Sequence, residues 1–201
     1  MRMIMILILI YKLFFIFLIY NLLMFFRSVI SSVLVLASLQ FFGEEYIIGK
    51  AHIEPGIDVV FEAAPKDIIY PIGKFLEEDK TSIHIEALVN WSDNAPAGSP
   101  IGGFIPYLEV MATIISDSDE VTKTILVPHI NNSDNLHYAQ NVTLPGNISK
   151  PYKIIFEILP PQEGQIGIHY DWNKSIGDYA TATKFVYENL NLEKIVSLKR
   201  R

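Results

Sequence analysis

Ile83-His84-Ile85-Glu86-Ala87, inside the run 81–91, alternates apolar and polar side chains one by one. Successive residues of a strand point to opposite faces, so Ile83, Ile85 and Ala87 face a core while His84 and Glu86 share the other side. The same grammar recurs at 45–51, 57–63, 105–115, 123–129, 137–144, 152–159, 167–172 and 180–188. Between these runs stand clusters of Pro, Gly, Asn and Asp, at 54–56, 94–103, 131–135, 145–147 and 160–164. Turn residues at this spacing predict nine short strands in an antiparallel sandwich or barrel. Beyond residue 42 no long 3.6-residue period occurs, and 75–80 has room for one helical turn. The last residues, 191–201, end in Lys199-Arg200-Arg201 and read as a fraying basic tail.

The charge is divided. Residues 1–42 carry only Arg2, Lys12 and Arg27, whereas the rest holds all 22 acidic residues and 13 basic ones, a formal −9. An acidic domain is a poor partner for phosphate, so nucleic-acid binding is excluded as an expectation. Residues 3–26 are almost continuously apolar with a single charge, Lys12, and long enough to cross a bilayer core of about 30 Å. Residues 1–42 therefore read either as an uncleaved membrane anchor or as a secretory signal, with Met24 a second candidate start. Both put the domain 43–190 outside the cytoplasm, in the periplasm or on the cell surface. Five Asn-x-Ser/Thr triplets, at Asn90, Asn131, Asn141, Asn147 and Asn173, fit an exported chain, and also fit chance in an Asn- and Ser-rich surface. With no cysteine, disulfides, thiolate metal sites and cysteine nucleophiles are excluded.

The chain has no P-loop, no G-x-G-x-x-G, no G-x-S-x-G and no H-E-x-x-H. The remaining chemistry is carried by His52, His84, His129, His137 and His169. On the strand 81–91, His84 and Glu86 make half a divalent-metal site, or a solvent-facing polar pair. His129 and His137 flank the polar stretch 130–136. If 123–129 and 137–144 pair as a hairpin, the two rings meet at one end of the sheet. His169 follows a Pro/Gly turn. His52 has no partner in this pattern. Neutral imidazole is the commonest metal ligand near neutral pH, and ligating imidazoles would release metal as pH falls through about 6.5.

Several of these segments, in order, resemble the Fe2+ transport protein family of periplasmic metal-binding proteins. Glu45-Tyr46-Ile47-Ile48-Gly49 resembles its opening segment, Ile83-His84-Ile85-Glu86-Ala87 its Ile-His-Leu-Glu-Ala strand, and Phe104-Ile105-Pro106-Tyr107-Leu108 its aromatic-x-Pro-Tyr-Leu strand. Val127-Pro128-His129 stands where the family has Met-Pro-Met, His137-Tyr138-Ala139-Gln140-Asn141 resembles His-Tyr-Gly-Ala-Asn, and Gly167-Ile168-His169 resembles Gly-x-His. The likeness runs from about residue 43 to 190.

The resemblance implies an immunoglobulin-like antiparallel β-sandwich, a homodimer with metal sites near its interface, and work beside a membrane iron permease. Carried over residue by residue, it implies a metal held by His84, Glu86, His129, His137 and His169. Two positions depart: His129 replaces the family Met, and Asn90 stands where another His is frequent. Without the thioether, the donor set loses its preference for Cu(I) and suits Cu(II), Fe(II), Zn(II) or Mn(II), with raw affinity favouring copper. The implied function is an exported divalent-metal-binding protein that presents iron, with or without copper, to the permease. The rival enzyme reading is a copper-dependent iron oxidase. A cupin-like oxygenase fails because the one-residue gap here separates His from Glu, not His from His. The remaining rival is a surface β-sandwich with incidental histidines.

Overall fold

In strands β2 (Ile57–Ala64), β4 (Glu109–Ile115) and β7 (Tyr152–Leu159), every second side chain is apolar and buried. Phe61, Val110, Ala112, Ile114, Ile154, Phe156 and Ile158 are all fully buried. This computed structural model describes residues 45–199, together with 19–21 and 24, which are helical. The expected signal or anchor at 1–42 otherwise lies outside the described residues. Among the described residues no helix is long and apolar enough to cross a membrane. The chain divides into Met1–Gly43 and Glu44–Arg201, and the fold below belongs to the second unit.

Eight antiparallel strands form one continuous, barrel-like sheet in the order β1-β2-β3-β6-β5-β4-β7-β8. The other members are β1 (Tyr46–Ile53), β3 (Ile83–Trp91), β5 (Val121–Asn131), β6 (Asn135–Val142) and β8 (Thr183–Leu190). The corner is made by β5, the longest strand. Its first half pairs with β4, Leu126 opposite Val110, and its second half pairs with β6, Val127 opposite Ala139. Pro128 follows directly, tolerated because this half of β5 has no ladder on its other side. At the open ends, the Tyr187 ring of β8 lies where a Cβ on Gly49 of β1 would be, so β1 and β8 approach only because that residue is glycine.

Across the interior, Phe61 of β2 stacks on Phe156 of β7, centroids 4.0 Å apart and planes within 18°. Tyr138 of β6 is buried in the same core, its hydroxyl donating to Ile105 O at 2.8 Å and accepting from Leu108 N at 3.0 Å. Those two bonds hold the chain entering β4, where Tyr107 has φ of 66°.

Three expectations are corrected. The run 167–172 is not a strand: a loop leads into helix α1, Tyr170–Ser175, so eight strands replace nine. Local bonds draw it out of the sheet, with Trp172 N donating to Asp171 Oδ1 and Ser175 Oγ donating to Asp171 O. The tail does not fray from 191 onward, because Leu192 and Ile195, at helix α2 (Glu193–Ser197), are buried in the core. Of the candidate glycosylation sites, Asn141 is 2% exposed and closed to a glycan in the folded chain.

The aromatic stack joins opposite walls, so Phe61→Ala is expected to cost about 3–5 kcal/mol of stability. Chemical denaturation at constant m-value checks this, while Ile125→Ala on the exposed side of β5 should change stability by under about 0.5 kcal/mol.

Candidate metal centre

His84 and Glu86 do share one face of β3, as alternation requires, but that face is not solvated. His84 is 6% exposed and Glu86 2%. Two things bury them. β3 lies inside the sheet between β2 and β6, and the segment 65–80, which has no strand of its own, passes over their side chains. The solvent-facing reading of the pair is therefore corrected. Beneath the segment is a cavity of about 520 Å³, lined by Asp67, Phe75, His84, Glu86, His129 and His137 among others.

The β5–β6 hairpin brings the other two imidazoles. Its turn is held by Asn131, whose Oδ1 accepts from Ser133 N and Asp134 N and whose side-chain amide donates to Asp134. In the resulting register His129 stands directly opposite His137. Ligand atoms of His84, Glu86 and His137 lie within 4.8 Å of one another, and His84 Nε2 is 3.7 Å from Glu86 Oε1. The His129 ring stacks on His84 at 5.3 Å, with Phe75 edge-on to its other side at 5.0 Å. His137 Nδ1 donates to Asn135 O at 3.0 Å, which leaves its Nε2 lone pair open. His169 is not brought to this cavity. It is exposed, just before α1 and outside the lining residues. His52 is occupied elsewhere, paired with Asp58 at 2.8 Å.

A second group was not visible in the sequence reading. Glu62 of β2 is the register partner of Glu86, and Glu45, Glu62 and Glu86 place carboxylate oxygens within 4.8 Å of one another. Glu86 thus belongs to both clusters. The available signal was Glu62 itself, a lone charge inside the apolar stretch Val59–Ala64.

Three buried polar atoms in this region have no hydrogen-bond partner among the described residues: Glu62 Oε2, Glu86 Oε2 and His129 Nε2. A protein rarely leaves buried acceptors unsatisfied, since each costs about 1–3 kcal/mol. Neutral imidazoles and carboxylates with open lone pairs, gathered around one cavity, are the donor set of a borderline divalent cation. The residues present fit such an ion.

Burial pushes the Glu86 carboxyl up to about 8, reinforced by Asp134, Glu62 and Asp67. Glu62 is raised by burial and then by Asp134, with Lys50 opposing. His84 and His129 are both lowered to about 4, mainly by burial, and His137 is lowered for the same reason. Within this group the Glu86 carboxyl is raised into the neutral range, while the three imidazoles lie below the ordinary value on which the expected release near 6.5 rests.

Because its value is raised, Glu86 contributes to the metal-free fold fully below its ordinary 4.5, and that contribution is lost as pH rises through about 8. His84 and His129, being lowered, contribute above their ordinary 6.5 and lose it as pH falls toward about 4. Metal-free Glu86→Gln should melt above the wild type at a pH of about 8, with the gap closing as pH falls to 4.5. Thermal melts in chelator across that range test it, and a constant gap would refute the assignment.

Comparison with known proteins gives the frame. The relative "34 kDa membrane antigen" of Treponema pallidum (strain Nichols) is 27% identical over 130 residues, 64% of this chain, and the chain spans 61% of that relative's length. Crystal structures of FetP from uropathogenic Escherichia coli strain F11 and of a copper-bound variant of Campylobacter jejuni P19 share the fold. Their TM-scores are 0.62 and 0.63 at 23% identity, each over 73% of this chain and 95% and 96% of the other. The model of the Fe2+ transport protein family matches residues 42–193, more than half of the sequence. The chain belongs to the Fe2+ transport protein family.

Proposed function

We propose that this is an exported divalent-metal-binding protein that assists iron uptake by binding iron, with or without copper, and presenting it to a membrane permease. The observation that carries the reading is the buried grouping of His84, Glu86 and His137 within 4.8 Å, with His129 stacked beside them and Glu86 Oε2 left without a partner. A β-sandwich with incidental histidines has no reason to bear that cost. FetP and P19 have both been solved with copper bound, which supports the same chemistry here. With His129 replacing a thioether, the donors are nitrogen and oxygen only, favouring Cu(II), Fe(II), Zn(II) or Mn(II) over Cu(I). A hard ion would prefer Glu45, Glu62 and Glu86, and a borderline ion the imidazoles.

The reading includes an immunoglobulin-like strand arrangement, a homodimer, and an extracytoplasmic site of action, either released or anchored through residues 1–42. FetP was itself expressed in the periplasm. His169, exposed and outside its own chain's cavity, is the residue a second copy would contribute. The formal −9 beyond residue 42 draws cations from within about 8 Å at physiological salt and argues against nucleic acid as a partner. The second reading, a copper-dependent iron oxidase, is favoured by one feature: Glu86 is common to the imidazole and carboxylate groups, so copper and iron bound there would share a ligand.

Elemental analysis of the full-length chain purified without added metal should find at least one bound transition metal per chain. His84→Ala, Glu86→Gln and His137→Ala should each lower affinity by about 100-fold or more, and unchanged stoichiometry and affinity in all three would refute the reading. His169→Ala should weaken binding only at protein concentrations where dimer forms. Oxygen consumption on adding Fe(II) to copper-loaded protein decides between carrier and oxidase.

A further inference from the structure

Asn141, on β6, is 2% exposed and uses its whole side-chain amide. Its nitrogen donates to Asp67 O at 2.7 Å and to Leu76 O at 2.9 Å. Its oxygen lies 2.9 Å from His84 Nδ1. The two main-chain carbonyls can only accept, so they fix which end of the amide is NH2. The end facing His84 is then the carbonyl oxygen, an acceptor, and His84 Nδ1 must carry the proton. Its Nε2 is left as the lone pair, on the side of Glu86 Oε1. Asp67 and Leu76 bracket the stretch that roofs the cavity, and the roof also supplies Phe75 against His129.

Resting on the metal reading above, we propose that Asn141 is a positioning residue that dictates which nitrogen His84 offers to a cation and ties that choice to closure of the roof 67–76. One buried amide holds the ring by its oxygen and both ends of the roof by its nitrogen. Free histidine in water favours the proton on Nε2, the wrong nitrogen for this cavity, so the tautomer is imposed by the fold. With Nε2 held by an ion, the Nδ1–H of His84 would be a stronger donor to Asn141 and, through the same amide, would steady the roof.

The test uses the full-length chain in detergent micelles, labelled with 15N at histidine, with Zn(II) as the probe. Metal-free wild type should show His84 with Nδ1 protonated. Asn141→Ala should move the proton to Nε2, raise hydrogen exchange at 67–76 by about tenfold or more, and weaken Zn(II) by about 10–100-fold at unchanged stoichiometry. Asn141→Asp keeps an acceptor for His84 Nδ1–H but removes both donors, so it should retain the tautomer while freeing the roof. His137→Ala, which also weakens Zn(II), should leave the tautomer and the metal-free roof unchanged. A metal-free wild type with Nε2 protonated overturns the proposal, as does an Asn141→Ala protein in which ring and roof are both unaltered. If Asn141→Ala does not fold, the wild-type tautomer and the Asn141→Asp roof decide. Wild type with both signals but no Zn(II) binding overturns the metal reading while leaving the hold of Asn141 on ring and roof intact.

Discussion

A carboxyl group and an imidazole buried side by side on a central strand are the constraint around which the rest is arranged. Glu86 and His84 could not be placed at 2% and 6% exposure as charged groups without large desolvation costs. The protein meets this by neutrality rather than by ion pairing. Burial holds the Glu86 carboxyl protonated up to about 8 and the His84 and His129 imidazoles neutral down to about 4. Between those limits the metal-free pocket holds uncharged His84 and His129 beside an uncharged Glu86, and still presents Glu86 Oε2 and His129 Nε2, which have no hydrogen-bond partner among the described residues.

The barrel-like sheet makes that arrangement possible. β3 is interior to the sheet, so its inner side chains are sealed by the core around Phe61 and Phe156 while its outer ones need only a local cover. The switch of β5 from β4 to β6 at Leu126 and Val127 turns its second half toward β3 and sets His129 opposite His137. The side chains are thus held by strands with long-range pairing, more rigid than a loop cluster of the same residues. The cover alone lacks a ladder, and it is attached to the site through Asn141 and Phe75.

Much of this was legible because alternation is a strong signal. The division of β3 into an Ile-lined face and a His/Glu face follows from period two, and the pairing of 123–129 with 137–144 follows from turn residues between them. The run 167–172 misled because Gly167-Ile168-His169-Tyr170 alternates while the residues after it bond to themselves. Burial of the polar face was not legible, since the covering segment has irregular structure and its contacts span from Asp67 to Asn141, 74 positions apart. Glu62 was legible in principle, being a single carboxylate in an apolar strand. Asn141 was legible as a motif position but not in its role, which shows only in its three side-chain bonds.

The same neutrality shapes how a cation would enter. His84 and His137 would offer their lone pairs to an ion, and Glu86, whose proton is held by burial, would be the group placed to answer the added positive charge. Loss of that proton would place a negative charge beside the new positive one, in a medium where such a pair interacts strongly. The penalty that keeps Glu86 protonated in the metal-free protein is then offset by attraction to the ion. Glu62, its register partner, is raised for the same reason and lies within reach of the same oxygen. A lone carboxylate would be a weaker device: two adjoining acids repel when both ionise, which raises the proton affinity of Glu86 further and would add to the attraction for a cation. Exclusion of water from the face of β3 would therefore have two effects at once, keeping Glu86 and the neighbouring imidazoles uncharged without a cation and strengthening their attraction to one.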